Sequence, residues 1–109
     1  FTPEQWYQME KNLYDCIVDE IEHISAEYLA DSYSKLVVCY EFFRLIRGEF
    51  FHRSRPMPMP EYQKEMYRME DDIARRLQPI EKQLDPNDPG AAYYLDLMKK
   101  SFSLQYFNQ

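Results

Sequence analysis

Apolar and aromatic residues recur at steps of three and four along nearly the whole chain, and they divide into four segments with helical periodicity. The first opens at Thr2, a suitable N-cap, with Pro3 at the first helical position and Glu4 and Gln5 behind it, where acidic and polar groups meet orphan amides. Trp6, Met9, Leu13, Ile17, Ile21, Ile24 and Tyr28 then form one stripe of about seven turns. The run Ala30-Asp-Ser-Tyr-Ser34 offers caps in succession, which predicts a break there and a second helix from Asp31 or Ser32. No Gly or Pro enforces that turn, so one long helix is the alternative.

The second segment, from about Tyr33 to His52, is apolar on most of its circumference, as expected of a central helix. Glu41, Arg44, Gly48 and His52 gather into its polar strip, read as the solvent side or a groove. Pro56, Pro58 and Pro60 alternate with Met57 and Met59, which predicts an extended proline-rich connector, a spacer in preference to a proline-recognition motif. Tyr62, Met66, Met69, Ile73, Leu77, Ile80 and Leu84 make the stripe of the third helix, with Lys64, Arg68, Asp71, Asp72, Arg75 and Arg76 on its outer face. Pro79 predicts a kink or break near Leu77. Asp88 and Pro89 cap and start a fourth helix, with Ala92, Leu95, Met98 and Phe102 inward.

The fold class that follows is all-α: a four-helix bundle-like domain with a Pro-rich connector between the second and third helices. At 109 residues the chain makes a single helical domain, long enough to bury roughly 60–65% of its unfolded surface without a metal or disulfide. Phe1 is not an initiator, so the expectation is a chain that follows a removed segment or is a fragment of a longer one. Cys16 and Cys39 lie inside predicted helices among apolar neighbours and read as small buried thiols of a reducing, cytoplasmic setting. The longest dense apolar stretch, 36–46, is interrupted by Glu41 and Arg44 and falls short of the roughly 20 residues of a membrane span.

Charge narrows the partners. Thirteen Lys and Arg against nineteen Asp and Glu give a net charge of -6, which repels a phosphate backbone, so nucleic acid is not expected. Aromatics make up 17% of the chain and include ten Tyr, more than one core needs. Tyr93, Tyr94, Tyr106 and Phe107 exceed what a single stripe of the fourth helix can bury, which marks them as a partner surface. The expected function is a non-catalytic interaction or regulatory module, self-associating through aromatic helix faces, with no cofactor.

Both histidines share one local pattern, Glu20-x-x-His23 and Glu49-x-x-His52. This spacing resembles that of di-iron carboxylate bundles of the ferritin-like kind, where two helices each supply such a pair to iron or another divalent transition metal. With a hairpin turning near Ser32, residue k of the first helix lies level with about 64 minus k of the second, which sets Glu49 about 7 Å along the axis from Glu20. Two metals about 4 Å apart do not bridge that offset. The same arithmetic predicts ordinary pairs, Glu20 with Arg44 and His23 with Glu41. Arg47-Gly-Glu-Phe-Phe-His52 resembles the Arg-x4-His element of HEPN-type ribonucleases, which implies His52 as base and Arg47 as a phosphate contact. Gly48 stands where that family usually has a polar residue, and the acidic charge opposes RNA.

Overall fold

The computed structural model describes the backbone of residues 2–53 and 60–107 and the side chains of residues 2–49 and 61–100. Four helices carry the described residues: α1 (Pro3–Glu22), α2 (Leu29–Arg53), α3 (Pro60–Gln83) and α4 (Pro89–Phe107), with one 3-10 turn at Ala26–Tyr28 and no strand. This is an all-α, bundle-like fold. The proline-rich connector lies outside the described residues. Cross-contacts set the directions: Tyr7 stacks on Tyr62 at 4.7 Å and the Tyr14 hydroxyl donates to Asp72 at 2.5 Å, so α1 and α3 run parallel. Helix α2 runs antiparallel to both and packs against α1, α3 and α4.

The helix ends follow local chemistry. Thr2 and Gln5 form a reciprocal capping box at the start of α1. Asp88 accepts from the Gly90 amide at 3.0 Å and Asp85 from the Asn87 amide at 2.9 Å, so the turn before α4 is built from side-chain acceptors. The first predicted break, however, is misplaced. The chain leaves α1 at His23 and re-enters through Ser25, whose hydroxyl accepts from the Glu27 amide, while 30–34 is helical throughout. Tyr33 decides this, because it is fully buried and has to be delivered by a helix already formed. The candidate cap Ser34 instead donates to the Asp31 carbonyl inside the helix, and Tyr28, expected on the stripe of α1, is exposed.

Pro79 does not break α3, which runs on to Gln83. Leu77, Ile80 and Leu84 are all buried, and this continued stripe holds the helix together across the missing amide. The core joins that stripe to Ile17 of α1, Tyr33, Leu36, Val37, Tyr40 and Phe43 of α2, and Ala91 and Met98 of α4. Cys16 is exposed, against the expectation of a buried thiol, and Cys39 is half-buried; both are free. The molecule measures 46 × 29 × 18 Å, and with helices about 10 Å across it is two layers deep. No helix is therefore enclosed on all sides, even one as apolar as α2.

Candidate functional site

Two glutamates lie inside the bundle, Glu10 on α1 at 0% exposure and Glu70 on α3 at 2%. Neither is among the stripe residues that the apolar pattern picks out, although each sits on a stripe. Glu10 is four residues after Trp6 and three before Leu13, and Glu70 is four after Met66 and three before Ile73. Glu70 is held by α2. Arg47 Nη1 contacts its Oε2, Arg44 Nε lies 3.4 Å from its Oε1, and the Tyr40 hydroxyl donates to Oε1 at 3.3 Å. The Arg47 guanidinium also lies 5.1 Å from the centre of the Tyr67 ring, which covers it from α3.

Glu10 is less well provided, since neither carboxyl oxygen has a hydrogen bond of good geometry among the described residues and only the charge and backbone of Arg47 offset its burial. Burial pushes its pKa from an ordinary 4.5 up to about 8, against the opposing pull of the Arg47 charge. Burial likewise raises the Tyr40 phenol to about 12, so it stays a donor to Glu70 at neutral pH. The cluster thus binds three helices through two acids, two cations and a phenol. It holds no nucleophile activated by a base.

This cluster sets two cations beside the buried face of α2 and leaves apolar side chains on the face opposite. At 100° per residue Arg44 and Arg47 fall within about 40° of Tyr33, in the middle of the buried face. The opposite face, 120–180° away by the same roughly even spacing, carries Val38, Phe42 and Leu45 at 50%, 59% and 66% exposure. The sequence places Glu41, Arg44, Gly48 and His52 in one polar strip, read as the solvent side or a groove. The strip is instead drawn inward by Glu70, with Glu41 half-buried beside Arg44 at 3.7 Å, and apolar side chains take its place outside. Asp31 and Lys35 on one side and Glu49 on the other complete this exposed face. Its positions 31, 35, 38, 42, 45 and 49 alternate in steps of four and three, the spacing of a coiled-coil seam.

The predicted aromatic surface of α4 is divided. Tyr93 is 65% exposed, but Tyr94 packs its ring edge-to-face on Tyr93 at 5.1 Å and is half-buried against the core. The side chains of Tyr106 and Phe107 lie outside the described residues, as does that of His52. Of the Glu-x-x-His pairs, Glu20, His23 and Glu49 are exposed, and among the described residues no three Asp, Glu, His or Cys side chains gather as a metal ion requires. The expected ordinary pairs do not form either. His23 closes α1, with Nδ1 2.8 Å from the Asp19 carbonyl and 3.4 Å from its carboxylate, and these raise its pKa, the carbonyl contact first. Arg44 serves Glu70 and Glu41 in place of Glu20. The reason in both cases is the earlier turn at His23–Ser25, which shifts the register of α2 along α1. Arg47, the phosphate contact implied by the ribonuclease-like element, is committed to Glu70.

An open cleft of about 220 Å³ lies between α3 and α4, lined by Ala74, Gln78, Glu81, Leu95, Met98 and Lys99. Burial raises the pKa of Glu81 there, opposed by Tyr33 and Lys99. One acid beside one amine gives a polar rim but no catalytic constellation. Set against known protein families, curated proteins and solved structures, the chain matches none. Among the described residues no helix is long and apolar enough to cross a membrane.

Proposed function

We propose that this domain is a non-catalytic helical interaction module that engages a protein partner through the outward face of α2. The observation that carries the reading is that the apolar residues of that helix are split over two faces, with Arg44 and Arg47 half-buried against Glu70 beside the core and Val38, Phe42 and Leu45 in water. Apolar side chains at three successive seam positions are the anchors a helix offers to a facing groove or helix. Phe42 is the central anchor, because aromatic side chains flanked by smaller apolar groups dominate binding energy at interfaces. Tyr93 is a secondary contact at most, since Tyr94 beside it is taken up by the core. A reducing, cytoplasmic setting goes with this reading, in keeping with two free thiols.

A photo-crosslinking side chain placed at position 42, with position 75 as an exposed control, tests the reading in the cells that produce the protein. Position 42 is expected to yield one discrete adduct and position 75 none. The captured protein, once purified, is expected to bind the domain with an affinity lowered roughly tenfold or more by Phe42→Glu. Equal labelling at the two positions, or binding indifferent to Phe42→Glu, overturns the assignment.

A further inference from the structure

We infer that the occupant of the α2 face is a second copy of this chain, laid antiparallel on the first with Phe42 at the two-fold axis. The inference rests on the reading of that face as a docking surface, and it is carried by the symmetry of the face under its own reversal. Lys35 stands seven residues before Phe42 and Glu49 seven after it, and both are exposed. In an antiparallel pair crossing at Phe42, residue k of one copy lies level with about 84 minus k of the other. Lys35 then meets Glu49 of the second copy on both sides of the axis. Val38 meets the neighbourhood of Leu45, and Phe42 meets Phe42.

Charge chooses this arrangement over its alternatives. A parallel pair in register sets Lys35 on Lys35 and Glu49 on Glu49, and like charges at the rim of an apolar seam disfavour it. An isologous two-fold contact requires one patch to complement itself, which the stretch from Lys35 to Glu49 does in residue type, size and sign. The steps of four and three let two such helices cross at a shallow angle with side chains interdigitated. The inward commitment of Arg44 and Arg47 to Glu70 matters here, because it keeps cations out of the apolar middle of the seam.

The seam from Lys35 to Glu49 is about 21 Å long. By itself it covers less than the roughly 800 Å² per partner of a standard interface. The pair is therefore a dissociating dimer, seen as a mass that rises with concentration, and the charge pairs at its ends set its register more than its strength.

Sedimentation equilibrium of the purified chain from low micromolar to about 1 mM tests this, with helicity by circular dichroism confirming that each variant is folded. The wild type is expected to move from monomer to dimer across that range. Lys35→Glu and Glu49→Lys are each expected to weaken the dimer roughly tenfold, and the double variant Lys35→Glu/Glu49→Lys to return it to within about threefold of the wild type. A monomer at every concentration overturns the second-copy inference and leaves the docking reading to the crosslink at position 42. A dimer lost in Phe42→Glu but insensitive to the charge exchanges overturns the antiparallel register. A dimer that persists in Phe42→Glu is held by another surface, which overturns the inference and again leaves the docking reading to the crosslink at position 42.

Discussion

Replacing Arg47 by methionine is expected to destabilise the protein by about 3 kcal/mol, more than any exposed charge substitution. The carboxylate it leaves behind, Glu70, is 2% exposed and loses its closest counter-ion, with Arg44 at 3.4 Å and the Tyr40 hydroxyl at 3.3 Å still beside it. The large term is the desolvated charge left short of a counter-ion, not the lost attraction as such. Methionine keeps the bulk of the aliphatic stem under the Tyr67 ring, so a packing void contributes little. A second substitution separates the two accounts. With Glu70→Gln added, the buried negative charge is gone and more than half of the loss is expected to return. Arg75→Met, which removes an exposed pair with Asp71 at 2.9 Å, is expected to stay within about 0.5 kcal/mol of the wild type. Urea unfolding with a common m value reads all three. An Arg47→Met midpoint indistinguishable from the wild type would show that Glu70 does not depend on that guanidinium.

Glu10→Gln is expected to stabilise the protein at alkaline pH and to leave it nearly unchanged near pH 4.5. Glu10 keeps its proton in the fold up to about pH 8, whereas the unfolded chain releases it near the ordinary 4.5. Its folded pKa is thus raised, the native state binds the extra proton between those values, and stability falls as pH rises through that window. The contribution is fully present below about 4.5 and fully lost above about 8. At about 1.4 kcal/mol for each unit, the full difference is about 4–5 kcal/mol. Glutamine has the shape of the protonated acid and does not titrate, so the wild type and the variant should coincide at the acid end and separate steadily toward pH 8.5. Glu65, whose pKa is lowered chiefly by its hydrogen bonds from Arg68, titrates below this window and cancels in the comparison. Thermal unfolding midpoints of the two proteins at half-unit steps from pH 4.5 to 9 measure the divergence. Parallel curves would mean that Glu10 ionises in the fold as it does in water.

The cluster behind both predictions was readable in part. Glu10 and Glu70 interrupt otherwise apolar stripes at i+4 and i−3 from core residues, and that spacing alone places them inward. What the spacing withholds is their answer. A buried acid is tolerable if a cation reaches it from another helix, as for Glu70, or if it keeps its proton, as Glu10 does, and the two arginines lie more than twenty residues from Glu70 and more than thirty from Glu10. For the same reason the polar strip of α2 is legible as a strip, while its choice between the solvent side and a groove is not. Helical angles order side chains around one axis, but which direction faces inward is settled by what the neighbouring helices present.

The stripes, caps and charge of the sequence by themselves determined four helices, most of the core on α3 and the starts of α1 and α4, because periodicity and capping are local properties of consecutive residues. Tertiary structure alone decided the turn at His23–Ser25, the passage of α3 through Pro79 and the rotation of α2 about its axis. Each of these is a competition in which local preference is worth about 1 kcal/mol or a few. Burying Tyr33, continuing the Leu77–Leu84 stripe and neutralising Glu70 are each worth as much or more, and they act only between segments distant in the chain. The outward apolar face of α2 is the by-product of that competition.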